Sequence, residues 1–128
     1  MKRLLVTPIA LSFFLVGCGL SQKEMKAYES EIGLFERLLA DTRYIDELNE
    51  RIQRYRVQRS NSRSRDELES ITNKLENTRE RNYKAANRRA KYIQYISCLK
   101  RYKEIKEPFA KARTFCILET GIDRRFQR

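Results

Sequence analysis

The amino-acid sequence predicts an all-α fold: a long antiparallel helical hairpin, coiled-coil-like, with a shorter third C-terminal helix folded back on it. Three observations predict it. Gly and Pro number only four and two in 128 residues, while Lys, Arg, Asp and Glu make up 35% of the chain, a balance that favours helix. Two apolar stripes at helical spacing flank one polar segment, and no stretch alternates as a strand would. Cys98 and Cys116 stand at nearly equal distances on either side of Pro108.

The first stripe runs Tyr28, Ile32, Phe35, Leu38, Ile45, Leu48, Ile52 and Tyr55. Its steps are threes and fours except for one of seven, across Thr42, so it reads as one helix. The second stripe runs from Leu68, Ile71, Leu75, Thr78 and Asn82 through Ala85, Ala86 and Ala90 to Ile93, Ile96, Leu99, Tyr102 and Ile105. Between them lies SNSRSRDEL, where Ser64 and Glu67 fit the Ser-x-x-Glu capping box that opens a helix. Folding the chain back at residues 60–64 sets Ile52 opposite Ile71, Leu48 opposite Leu75 and Ile32 opposite Ile93. Thr42 then faces Asn82 as a polar layer, a device that fixes register in coiled coils. Phe35 and Leu38 face the small alanines, as interdigitating layers require. One continuous rod that dimerises is the alternative, so a homodimer is also compatible with these stripes.

Pro108 disfavours helix at Glu107, so the chain breaks there. A turn at Pro108 brings Cys98 and Cys116 to one height on antiparallel helices, within reach of a disulfide. Such a bridge contributes about 3 kcal/mol. The pair lacks the C-x-x-C spacing of a redox couple and reads as a staple. Phe109, Ala112, Phe115, Leu118, Ile122 and Phe126 form the third stripe, facing Leu99, Ile96 and Ile93, and Gly121 reads as a C-cap.

The start of the chain carries the most specific motif. Met1-Lys2-Arg3 precedes an apolar run from Leu4 to Val16, the layout of a secretory signal. The run is about a third too short to span a bilayer, which takes about 20 residues. Leu15-Val16-Gly17-Cys18 resembles the lipobox of bacterial lipoprotein precursors, and the resemblance covers residues 1–18 only. It implies that residues 1–17 are a cleaved signal peptide and that Cys18 receives a diacylglyceryl thioether and an N-terminal acyl chain such as palmitate. Two or three acyl chains, at about 0.8 kcal/mol per buried methylene, anchor stably where one is marginal. Gly19, where an Asp would retain such a protein, implies the inner leaflet of the outer membrane, facing the periplasm. Residues 18–27 are then a lipidated tether and residues 28–128 a single helical domain.

The chemistry that is missing narrows the function. His and Trp are absent, which excludes the usual Cys/His zinc sites and a Ser-His-Asp triad. Ser97-Cys98-Leu99-Lys100 matches S-x-x-K, but the companion S-D-N and K-T-G motifs of that nucleophile class are missing. The expectation is a protein without metal or cofactor that is not an enzyme.

The charge that is present points to a surface. The net charge is +11, and Arg51, Arg54, Arg56, Arg59, Arg63 and Arg65 fall in one stretch with no acidic residue. In the hairpin this stretch is the tip. It either keeps the protein soluble or docks an anionic partner: an acidic protein surface, cell-wall carboxylates or lipopolysaccharide phosphates. Arginine suits bidentate contact with either anion. Nucleic acid would match the charge only if residues 1–18 were not a signal, so none is expected. The resulting expectation is a membrane-anchored structural or adaptor component of an envelope assembly of the secretion, conjugation or pilus type. The alternatives are an exclusion or spanin-like lipoprotein of a phage or plasmid, and a cell-wall or lipopolysaccharide ligand.

Overall fold

The structure is a computed structural model and describes residues 19–122. The signal residues 1–17, Cys18 and Phe126 lie outside the described residues. The fold is all-α. Among the described residues four helices follow one another, α1 Gln22–Ala40, α2 Arg43–Asn61, α3 Arg65–Glu104 and α4 Phe109–Thr120, and there is no strand. The chain turns between α2 and α3 rather than continuing as a rod. No helix of the described residues is long and apolar enough to cross a membrane.

The expected single first arm is two helices. Asp41 and Thr42 interrupt it, because their short polar side chains offer the backbone an alternative to the helical ladder. Asp41 Oδ1 accepts from the Arg43 backbone N–H at 3.3 Å and from Arg43 Nε at 3.0 Å. Arg43 Nη2 donates to Asp41 Oδ2 at 2.9 Å. Thr42 Oγ1 donates to Asp46 Oδ2 at 2.8 Å. These bonds from Arg43, side chain first and backbone second, pull the Asp41 carboxyl down to about 2. The carbonyls freed at the end of α1 also need donors. Arg89 on α3 supplies them, with Nη2 on Leu39 O at 2.7 Å and Nη1 on Asp41 O at 3.4 Å.

The described residues form two compact units, one from residues 19–36 and 94–122, the other from residues 37–93. In the first unit Tyr28, Phe35, Tyr95, Leu99, Ala112 and Cys116 are at most 1% exposed. Phe35 packs on Tyr95 with ring centroids 4.7 Å apart, and Tyr28 meets Phe109 edge-on at 5.2 Å. Buried tyrosines keep their hydroxyls satisfied: Tyr28 donates to Glu107 O at 2.6 Å and Tyr95 to Glu31 Oε1 at 3.0 Å. Burial, then the Glu31 carboxylate, pushes the Tyr95 phenol above its ordinary range. Cys98 and Cys116 are joined in a disulfide with Cα atoms 5.7 Å apart, tying α3 to α4. Beside it Arg101 holds Glu119 at 2.9 Å.

Helix ends in this unit are finished by local and distant groups. Ser21 Oγ accepts the Glu24 N–H at 3.2 Å and starts α1. At the end of α3 the Glu107 N–H bonds to Tyr102 O and the Lys106 N–H to Lys103 O, both at 3.1 Å. This is a Schellman closure, and Lys106 takes the left-handed position with φ 61° that glycine usually fills. Pro108 then precedes α4 and has no side chain with which to cap it. The acceptor comes from α1, where Glu24 Oε2 takes the Phe109 N–H at 2.7 Å. Gly121, at φ 67°, ends α4 with its N–H on Ile117 O.

The second unit is a hairpin of α2 against residues 65–93 of α3. Leu48, Ile52, Ile71, Leu75, Thr78 and Ala85 are buried in it. Thr78 satisfies its hydroxyl on Lys74 O at 2.8 Å.

The register differs from the expected one. Asn82 Nδ2 donates to Asn49 Oδ1 at 2.7 Å, seven residues along from Thr42, and Phe35 meets Tyr95 instead of Ala90. A stripe that repeats about every seven residues fits equally well after a heptad slip, so the pattern alone could not choose. The slip moves the core as well. Ile93, Ile105 and Leu118 are more than half exposed and Leu38 is 38% exposed. Of the expected Ile93, Ile96 and Leu99, the last two are buried, and Tyr92, Tyr95 and Cys98 are buried beside them.

Candidate functional site

The arginine stretch occupies the end of α2, the turn and the start of α3. Local polar side chains shape the turn. Ser60 Oγ donates to Val57 O at 2.8 Å in the last turn of α2. Ser62 is extended, at φ −71° and ψ 135°, and its N–H reaches Arg59 O. Ser64 then opens α3: its Oγ accepts the Glu67 N–H at 3.1 Å and its carbonyl accepts the Leu68 N–H at 3.0 Å.

Arg51, Arg54, Arg56 and Arg59 lie on α2, Arg63 in the turn, and Arg65 is the first residue of α3; all six are exposed. Among the described residues none of the six makes an ion pair. They do not share one face, because steps of two, three and five along α2 point in different directions at 100° per residue. Asp66 and Glu67 follow at once in the first turn of α3, where they complement the helix dipole. The acid-free run of the sequence therefore has carboxylates at its border.

One of the six belongs to a concave surface. A cleft of about 390 Å³ is lined by Asn49, Gln53 and Arg56 on α2 and by Arg79, Asn82 and Tyr83 on α3, above Ile52 and Ala86. The α2 set recurs at steps of four and three, and the α3 set at three and one, so each helix presents one edge to the cleft. The Asn82–Asn49 bond crosses it and holds both amides in place. Arg51, Arg54, Arg59, Arg63 and Arg65 do not line it. Sequence reasoning missed Asn49, Gln53, Arg79 and Tyr83. The only signal was polar residues repeating at helical spacing beside the apolar stripe, and the mixed charges around Arg79 masked it.

A second cleft, of about 590 Å³, lies in the first unit between Gly19, Leu20 and Met25 and the Lys100, Lys103 and Lys106 end of α3. Two of its lysines face carboxylates: Lys100 sits 3.5 Å from Glu36 and Lys103 3.9 Å from Glu29. Ser97 is exposed on α3. Among the described residues no three His, Cys, Asp or Glu side chains are grouped to hold a metal ion. Comparison with protein-family models, with curated proteins and with solved structures gave no match.

Proposed function

We propose that this chain is a lipid-anchored protein of the bacterial cell envelope, an adaptor whose helical hairpin docks an anionic protein partner at its arginine-rich turn. Leu15-Val16-Gly17-Cys18 behind a basic start and an apolar run carries this reading. Acylation at Cys18 fastens the protein to the inner leaflet of the outer membrane, with the helical part facing the periplasm. Six exposed arginines without ion pairs among the described residues leave a positive field at the turn for a partner to meet. The task is recruitment or stabilisation within an assembly of the secretion, conjugation or pilus type.

Metabolic labelling with a palmitate analogue tests the anchor. The wild-type chain becomes tagged and Cys18→Ser does not; an untagged wild type removes the membrane assignment. Cross-linking from the turn tests the dock. Arg54→Glu together with Arg59→Glu lowers capture of the partner by weakening the positive field at the turn, and unchanged capture would leave these arginines a solubility role only.

A further inference from the structure

The six arginines of the turn are not equivalent, because among the described residues Arg56 shares the lining of a cleft with another arginine, Arg79, and the other five do not line that cleft. Arg56 on α2 and Arg79 on α3 line the same cleft, and neither makes an ion pair among the described residues. The neighbouring carboxylate of Glu80 is engaged with Lys84 at 3.0 Å. Two cations that meet at one concave place without an internal counter-ion repel each other, and an anion between them relieves that repulsion.

The rest of the lining says which anion. Asn49, Gln53 and Asn82 carry amides, each offering donors and an acceptor. A phosphate ester, or the dianionic phosphate that prevails above neutral pH, presents acceptors with at most one O–H and would leave amide oxygens unmatched. A polypeptide presents N–H and C=O together, and its acidic side chains fit the planar guanidinium fork. Tyr83 is 68% exposed at the edge of the cleft. A large ring held in the open beside two arginines is the composition that concentrates binding energy in protein interfaces. A cleft of about 390 Å³ accommodates one or two side chains, not a folded surface.

We infer that this cleft receives a carboxylate-bearing peptide segment of a protein partner. The carboxylate lies between Arg56 and Arg79, the amides of Asn49, Gln53 and Asn82 pair with the backbone of the segment, and Tyr83 covers it. This rests on the docking reading above and specifies which residues carry it; the other five arginines steer the encounter.

The test is an NMR titration of the full chain in detergent micelles with acetyl-Glu-Glu-Glu-amide, following the side-chain NH₂ resonances of asparagine and glutamine. The signals of Asn49, Gln53 and Asn82 shift saturably, with an affinity on the order of millimolar for so small a ligand. Arg56→Gln or Arg79→Gln weakens binding about tenfold each, as loss of a charge-assisted hydrogen bond does. Arg54→Gln and Arg59→Gln change it less than twofold. The inference is overturned if those amides do not shift. It is also overturned if inorganic phosphate at the same concentration reproduces the shifts, or if Arg54 and Arg59 matter as much as Arg56 and Arg79. Unchanged capture after Arg54→Glu with Arg59→Glu would remove the docking role of the field without touching this titration, so the two failures are distinguishable.

Discussion

Glu24 joins two helices that are far apart in sequence, and its removal tests how the start of α4 is held. Pro108 occupies the N-cap of α4 and brings no side-chain acceptor, so the first turn depends on a group from elsewhere. Glu24 Oε2 takes the Phe109 N–H at 2.7 Å across 85 positions of chain. Glu24→Ala leaves that part-buried N–H without its acceptor, at a cost of about 1–3 kcal/mol. It also removes a negative charge at a helix N-terminus, about 0.3–1 kcal/mol more. Glu24→Gln keeps an amide oxygen that can accept the bond and loses only the charge. The expected order is therefore a loss of about 2 kcal/mol for Ala and under about 1 kcal/mol for Gln. Urea unfolding followed by far-UV circular dichroism measures both variants against wild type. An Ala variant within about 0.3 kcal/mol of wild type would refute the cap, since that is ordinary surface variation. Equal losses for Ala and Gln would transfer the whole effect to charge.

Other perturbations report on separate parts of the chain. Cys98→Ala with Cys116→Ala destabilises by about 3 kcal/mol through the unfolded chain, which a shift in the urea midpoint at constant slope would show. Lys106→Gly relieves a left-handed non-glycine residue and stabilises by about 1 kcal/mol; a lower midpoint would contradict the Schellman assignment. Asp41 titrates at about 2, and Arg43→Ala returns it toward 3.8, as carbonyl NMR chemical shifts against pH would record. The sign follows from the depression: the stabilisation by this pair is present above the unfolded pKa and fades as pH falls through about 2. At the alkaline end Tyr28 and Tyr95 have raised pKa values, chiefly from burial. Their contribution is complete below the ordinary tyrosine value near 10 and falls as pH rises beyond it. Absorbance at the phenolate band should show their ionisation coinciding with unfolding, and early, reversible ionisation of all seven tyrosines would contradict their burial.

Features set by a single residue's backbone chemistry were legible in the sequence. Ser64 opens α3, the chain breaks before Pro108, and Gly121 ends α4, each as steric and capping rules require. Cys98 and Cys116 are joined across the Pro108 turn, where their spacing set them level. Features that depend on which residue faces which were not legible. The seven-residue step at Thr42 resembled a skipped position in a stripe, and only the bonds of Asp41 to Arg43 and of Arg89 to Leu39 show that it is a helix break. Tyrosine counts as apolar or polar according to whether its hydroxyl finds a partner. Tyr95 can be buried because Glu31, an exposed-looking residue on α1, accepts the hydrogen bond of its hydroxyl. The candidate cleft was hidden for the same reason. Arg56 was visible as one of six, but its neighbours Arg79 and Asn82 come from the other helix in a register the stripe could not choose.

The two units differ in what their positive charges face. In the first unit Lys100, Lys103, Lys111, Arg101 and Arg113 each lie within 3.9 Å of a carboxylate. In the second, Arg43 and Lys84 do so, while among the described residues the six arginines of the turn and Arg79 form no ion pair, nor do Lys23, Lys26 and Lys106 of the first unit. Exposed ion pairs contribute little to stability, typically about 0–1 kcal/mol, so the difference has small consequence for folding. Its consequence is for the field around each unit. Paired cations present a nearly neutral surface, whereas unpaired ones project a potential that raises the local concentration of anions and speeds their encounter. Such a field alone would attract any anion. In the proposed reading the cleft at Arg56 and Arg79 adds the selectivity the field lacks, because amides and a tyrosine ring beside the guanidinium groups would reward a peptide over a bare charge. Attraction over a broad surface and discrimination at one small place are separate properties, and the proposal assigns them to different arginines.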